Sequence, residues 1–308
     1  MKLFSLPSAD DWLHRIIQQE RKMNHPVKGI DHVFLLVSDL DKASERYAEL
    51  GFTISPRGLH SEAKGSANHT IMFPDDYFEL LGLLRKTPGN AGRFEALERM
   101  GEGLHAIACR IDDAGEAAKA LSDLGISTEG LGSFERPVPL PDGTEGVAAF
   151  STVAFTSEKV PFGTVFMCQH RTRETVWLPE LIEHPNSACG LNAILAVSKN
   201  PQQDAEAFAN LWANSVVAKT PSGAQIQTGK ASAVLELLTP KALKETYPWL
   251  DMSNLPKGAF SGLRINVQDL DKVKASLDAA QIAAHPTTQG LAVAPQDACG
   301  AIIEFVMK

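Results

Sequence analysis

Three side chains in this 308-residue sequence have the types and placement to do chemistry. His32 lies near the start of an apolar run, GIDHVFLLVS (29–38), and His105 near the start of a second one, GLHAIACRI (103–111). Glu79 interrupts YFELLGLL (77–84), where an unpaired carboxylate would be costly to bury. Two imidazoles and one carboxylate suit zinc, iron, nickel or manganese and leave coordination positions open. Such a cation would act as a Lewis acid on a bound oxygen. The plainer alternative is that each His is a hydrogen-bonded core residue and that Glu79 pairs with an Arg or Lys.

The elements that must position these groups repeat. Ile30–Val37 reads as a buried strand, and Asp39–Leu50 as a helix closed by Gly51. Phe52–Ser55 reads as a short strand, 58–65 as a loop, and Asn68–Phe73 and Tyr77–Leu84 as strands joined by a Pro-Asp-Asp turn. A second copy begins at Gly103, with a helix over Asp113–Leu124, a Pro- and Gly-rich stretch over Arg136–Thr144 read as loop, and strands over Val147–Phe155 and Thr164–His170. Third and fourth copies begin at Gly190 and Gly262. VSDLDK (37–42) recurs as VQDLDK (267–272), and YFELL (77–81) as VLELL (234–238). Repetition at this coarse period means duplicated structural units. Ahead of them, Ser8–Met23 reads as a lone helix with Ser8 as N-cap.

Composition narrows the function class. A net charge of −8 with no basic stripe argues against nucleic acid. The four cysteines form no CxxC pair and read as small buried hydrophobes. Without a signal-like N-terminus or an apolar run of membrane length, the expectation is a soluble cytoplasmic protein with no membrane partner. No Gly-rich phosphate loop, nucleophile elbow or HExxH is present.

Four βαβββ units in two pairs resemble the vicinal oxygen chelate superfamily, which includes glyoxalase I, extradiol dioxygenases and bleomycin-resistance proteins. GLHSEAKGSANHTIMF (58–73) followed by YFELLG looks most like its glyoxalase-like subgroup. The resemblance covers 28–308. It implies an α+β fold in which each pair of modules forms a cupped mixed β-sheet flanked by helices. The corresponding division is 1–27 as helical extension, 28–186 as the first domain and 187–308 as the second.

The resemblance also implies metal ligands from the first and fourth strands of each module: His32, Glu79 and His105. The fourth position is open. Counting from Gly163 reaches Met167, a poor ligand; Gln169 shares its face, and His170 would need a bulge to reach the cup. Gln169 is preferred, as a catalytic partner of Glu79. His60, Asn68 and His170 are assigned to substrate, and only one of Asn68 and His69 can face the cup. In the second pair, Asn192 and Ser261 stand where the imidazoles would be, while Glu236 and Glu304 remain, with Arg264 as their partner.

The implied activity is metal-dependent, glyoxalase-like isomerase or lyase chemistry on a small substrate with vicinal oxygens. Iron at the same ligands would instead activate dioxygen, and a metal-free cup would only sequester a ligand. A homodimer is compatible with the resemblance but not required, because four modules already supply two complete pairs.

Overall fold

The computed structural model describes residues 24–140, 143–254 and 260–308; the helix expected over Ser8–Met23 lies outside these. The first sheet contains β1 (Ile30–Val37), β2 (Gly58–Leu59), β3 (Ser66–Met72), β4 (Tyr77–Leu83), β5 (Gly103–Arg110), β6 (Thr128–Pro139), β7 (Glu145–Phe155) and β8 (Thr164–His170). Their order across the sheet is β2-β3-β4-β1-β5-β8-β7-β6. The second contains β9 (Ala188–Val197), β10 (Val216–Thr220), β11 (Gly223–Gln227), β12 (Val234–Leu238), β13 (Gly262–Val267), β14 (His285–Pro286), β15 (Gly290–Val293) and β16 (Ile302–Met307). It repeats the order as β10-β11-β12-β9-β13-β16-β15-β14. Each sheet is mixed: β1 runs parallel to β4 and antiparallel to β5, and β9 relates to β12 and β13 in the same way. The α+β architecture of four modules in two cupped pairs is the one the repeats imply.

The helices are α1 (Leu40–Glu49), α2 (Ala91–Met100), α3 (Ala114–Asp123), α4 (Pro201–Ala209), α5 (Pro240–Thr246) and α6 (Leu270–Ala279). The repeated VSDLDK-type segment explains two of them. Asp39 caps α1 by accepting from the backbone N–H of Lys42, and Asp269 caps α6. Leu40, Ala43 and Tyr47 form the buried stripe of α1, and Gly51, at φ +86°, turns the chain out of it. No helix among the described residues is long and apolar enough to cross a membrane.

Alternation along the strands separates two faces. Val33, Leu35 and Val37 of β1 and Ile194 and Ala196 of β9 enter one core, which also takes in Phe208, Phe260 and Phe305. This core lies behind both sheets and joins them. The opposite face of the first sheet carries His32, Phe34 and Glu79, which line its cup.

Two expected elements differ. Phe52–Ser55 forms no strand, and the second strand of the module is the short Gly58–Leu59. Arg136–Pro139, read as loop, completes the edge strand β6. An edge strand tolerates Pro137 and Pro139 because one row of its N–H groups has no ladder partner to supply.

Asp76 joins the halves. Its buried Oδ1 accepts from the Leu191 N–H at 3.0 Å. Burial nevertheless pushes its carboxyl up to about 7. The folded protein therefore holds this proton more tightly than the unfolded chain does. Stability should fall as pH rises from about 4 to about 7 and level off above that. Asp76→Asn should remove the loss, gaining up to about 4 kcal/mol near pH 8 and almost nothing near pH 4. Urea unfolding of both proteins at the two pH values checks this.

Candidate active site

The first cup encloses a cavity of about 220 Å³. Register places its lining. In β1 and β4, His32 pairs with Tyr77 and Phe34 with Glu79, so these four side chains form two adjacent rows on one face. Asn68 and Thr70 of β3 and Phe166 and Cys168 of β8 extend it on either side. Phe134 and Arg136 of β6 close it from the edge, α2 contributes Arg93, and the loop before β3 contributes His60 and Lys64. A side-chain carbon on Gly58 would lie 2.5 Å from Asn68 Oδ1 and 2.6 Å from Arg136 Cζ. Glycine there is what lets both groups approach the cavity.

Among the described residues Glu79 is the only carboxylate that lines the cavity. It is 9% exposed, and Asn68 Nδ2 donates to its Oε2. Asn68 Oδ1, on the same side chain, is buried without a partner, so it can accept from a ligand. His69 turns away and bonds the Ser55 carbonyl, which leaves Asn68 as the member of that pair facing the cup. His60 bonds Ser66 Oγ through Nδ1 at 2.8 Å, and burial lowers it to about 4, so it enters as a neutral imidazole.

Around Glu79 stand Lys64, Arg93 and Arg136, and each feels its charge. Among the described residues none of the three cations has an ion-pair partner within 4.0 Å. Aromatic faces hold two of them: Lys64 Nζ lies 2.9 Å from the Phe134 ring centroid, and the Arg93 guanidinium 5.4 Å from that of Phe34. Burial lowers the pKa of both arginines and brings Lys64 down to about 8. Three cations against one carboxylate make the cavity a receptor for an anion. Affinity for a small anion such as oxalate should drop as pH rises through about 8, where Lys64 loses its proton. Lys64→Met should abolish that step in calorimetric titrations.

The row beside Glu79 ends in a second polar group. Asp31 Oδ1 accepts from His32 Nδ1 and His170 Nε2, both at 2.9 Å, and Arg110 Nε lies 3.3 Å from Oδ2. Burial pulls the Asp31 carboxyl up, but the bonds from His170 and His32 hold it well below the usual range. Tyr77 stacks on His32, with centroids 4.3 Å apart.

The structure therefore brings together His32, His60, Asn68, Glu79 and His170, the last reaching the cup side through the alternation of β8. His105 and Gln169 do not join them. His105 bonds the Gly101 carbonyl at the end of α2, and Gln169 Oε1 accepts from the Ala114 N–H at the start of α3. The reason is register. His32 lies opposite Ala108 and Ala106 opposite Phe34, so the counterpart of His32 is Ala106, one residue past His105. His105 sits at an irregularity of that pairing and lines a separate pocket under α2 with Phe34, Leu36 and Arg93. Likewise Glu79 lies beside Phe34, and Phe166 beside Ala108, which makes Phe166 the counterpart of Glu79. Of the four positions that would hold the superfamily's metal, only His32 and Glu79 carry ligands. The set His32, Glu79, Ala106 and Phe166 does not fit that metal.

In the second sheet Arg264 fills the corresponding space. Its Nη1 bonds Glu236 at 2.6 Å and its Nε bonds Glu304 at 2.8 Å, while the Tyr247 hydroxyl donates to Glu304 at 2.8 Å. Ala193, packed beside Leu195 and Leu243, stands in the row of His32.

Sequence reasoning missed Asp31, Lys64, Arg93 and Arg136. Only Asp31, adjacent to His32 in an otherwise apolar strand, carried a readable signal.

A family model described as a glyoxalase-like domain matches residues 30–212. No curated protein matches the sequence. Among solved structures, a hypothetical protein from Staphylococcus aureus is 13% identical with TM-score 0.60, over 91% of this chain and 99% of that one. A variant of homoprotocatechuate 2,3-dioxygenase from B. fuscum is 13% identical with TM-score 0.55, over 92% and 72%. A mutant 4-hydroxymandelate synthase from Streptomyces coelicolor is 13% identical with TM-score 0.53, over 92% and 93%. At this identity the likeness is one of fold.

Proposed function

The chain belongs to the glyoxalase-like domain family of the vicinal oxygen chelate superfamily, and from that premise we propose that it is a metal-dependent enzyme, in the broad sense of that superfamily, whose N-terminal cup moves a proton on a small anionic substrate with vicinal oxygens. The observation that carries the reading is that, among the described residues, one carboxylate, Glu79, faces the cavity beside three cations without ion-pair partners.

A 2-oxo or 2-hydroxy carboxylate illustrates the chemistry. Lys64, Arg93 and Arg136 hold the carboxylate and stabilise negative charge as it develops on the neighbouring oxygen. Asn68 fixes Glu79 through one amide group and receives a substrate hydroxyl at the other. From a 2-oxo carboxylate with a hydroxyl on the next carbon, Glu79 takes the proton on that carbon and returns it to the former carbonyl carbon, while the hydroxyl proton passes to the former carbonyl oxygen, an isomerase-type step. Phe34 and Phe166 keep water away from the resulting enediolate. Because Ala106 and Phe166 break the superfamily's ligand set, no part of this step is routed through a metal at that position.

The same two residues favour a second reading, a ligand-sequestering protein without turnover. Proton NMR in D₂O separates the two. Incubation with a panel of small 2-oxo and 2-hydroxy carboxylates should wash out the proton next to the carbonyl for at least one compound. Tight binding of panel members with no exchange in any of them would establish the sequestering reading instead.

A further inference from the structure

Beside His32, the cup holds ligand atoms outside the superfamily's four positions. One nitrogen of His32, one nitrogen of His170 and the sulfur of Cys168 lie within 4.8 Å of one another. The two imidazoles do not merely share a neighbourhood. His32 Nδ1 and His170 Nε2 both bond Asp31 Oδ1 at 2.9 Å, so one carboxylate orients both rings and leaves the other nitrogen of each free to bind.

The surroundings hold these groups in place. Asp31 Oδ2 is engaged by Arg110, which leaves Oδ1 turned to the imidazoles. His32 is clamped by the stacked Tyr77 ring. His170 is boxed by Phe150 and Trp177, with centroids 5.0 and 4.9 Å away. Its other nitrogen, Nδ1, is buried and has no hydrogen-bond partner among the described residues, so with Nε2 held by Asp31 it is the atom left to bind a cation. The side chains of Asp31, His32 and His170 are 1%, 5% and 6% exposed, and Cys168 is 3% exposed.

We propose that His32, Cys168 and His170 form a site for a borderline divalent cation that shares only His32 with the superfamily's metal position. Two imidazole nitrogens and a thiolate match zinc, cobalt(II) or nickel(II), disfavour magnesium and calcium, and leave a coordination position open. A tetrahedral shell on zinc places ligand atoms roughly 3.5 Å apart, so the group needs to close by about 1 Å. The thiolate and the Asp31 carboxylate behind the imidazoles together balance the charge of a divalent ion, as a buried site requires. Asp31, bonded to the far nitrogen of each ring, supplies the orienting bond that metal-binding histidines generally have, and Arg110 holds Asp31 in turn. His32 and Cys168 line the same cavity as Glu79, so a bound cation would meet the substrate there as a Lewis acid. The site deepens the metal-dependent part of the function proposed above and rests on it. It keeps His32 and, in place of Phe166, uses Cys168 and His170, the next two cup-facing positions along β8.

Cobalt(II) titration of the full-length, chelator-treated protein tests this, read by absorption and by metal analysis after desalting. The wild type should bind one equivalent and show thiolate-to-cobalt charge transfer in the near ultraviolet. Cys168→Ser should lose that band and weaken binding by about tenfold or more, and His170→Ala and Asp31→Asn should weaken it to a similar degree. His105→Ala and Gln169→Ala should bind as the wild type does. Circular dichroism of each variant verifies folding, and the charge-transfer band of the wild type tests the thiolate without any substitution. No uptake by the folded wild type, or uptake without the band and unaffected in His170→Ala, would overturn the site. Binding lost in Glu79→Gln but kept in Cys168→Ser would return the metal to the superfamily's position. Cobalt binding as described, without proton exchange on any substrate, sinks only the function. Exchange in a protein that takes up no metal sinks the site and the metal dependence, and leaves proton transfer by Glu79 standing.

Discussion

Glu79→Gln is expected to lower substrate proton exchange by about 10²–10⁴-fold while leaving anion binding at least as tight as in the wild type. The two effects have separate causes. Among the described residues Glu79 is the only carboxylate lining the cavity, so its loss removes the base and leaves no described neighbour of the right chemistry to replace it. Its negative charge also opposes an incoming anion. Neutral glutamine lets Lys64, Arg93 and Arg136 act on the ligand without that opposition. Gln preserves the shape of the side chain, and an amide reversal at Asn68 restores the hydrogen bond now made to Oε2. Calorimetry for binding and NMR exchange for turnover read the two effects independently. Exchange that persists at the wild-type rate would remove Glu79 from the chemistry. Binding that vanishes with it would mean that the residue holds the cup together rather than acting in it.

The largest stability effect belongs to the other cup. Arg264→Met should cost about 3–5 kcal/mol, because it leaves Glu304 and Glu236 without their cation. Glu304 is 1% exposed and Glu236 15%, so water cannot take the place of the guanidinium. Tyr247 still donates to Glu304, but one neutral hydroxyl does not balance a buried charge. In the variant Glu304 would be driven to take up a proton, so the deficit should widen as pH rises. Adding Glu236→Gln and Glu304→Gln should recover most of the loss, since removing a buried charge cluster as a whole costs far less than breaking it. Urea midpoints at unchanged slope measure each step. A single substitution that costs under about 1 kcal/mol would show that the cluster is solvated in solution.

The modular architecture was legible because it is written in signals that local physics enforces. Asp39 and Asp269 must cap their helices, and the apolar runs of β1, β4, β9 and β13 must be buried. The pairing of Glu236 and Glu304 with Arg264 followed from the cost of burying carboxylates. The outer parts of each sheet were harder to read. Strand β6 carries prolines and a mostly exposed surface, so neither composition nor alternation marks it. Helix α2 has no buried residue, hence no apolar stripe, yet it delivers Arg93. Within the site, residue types were easier to read than register. His105 and Ala106 are neighbours in sequence, and only the pairing of β1 with β5 shows which one shares a row with the cup. Matching the strands by their histidines puts the alignment out by one residue, whereas matching Gly29 to Gly103 places Ala106 opposite His32 in the repeat. Asp31 and His170 come from opposite ends of the first half, and no spacing rule links them.

The core that joins the sheets bears on why a half without an open cup is retained. Its buried side chains run from Val27 to Phe305, and residues from both halves are interleaved in it. Strand pairing keeps the two sheets distinct, but they share one reservoir of apolar burial. Severed from its counterpart, the first half would lose the Phe305 ring stacked on Phe52 and the Ala298 carbonyl to which Tyr47 donates. Melting is then expected to be a single cooperative event, in which the first half draws part of its free energy of folding from the second. The second half is a folding cofactor carried on the same chain. Selection for a working first cup preserves the second sheet whether or not it binds anything, and leaves its interior free to be filled by Arg264.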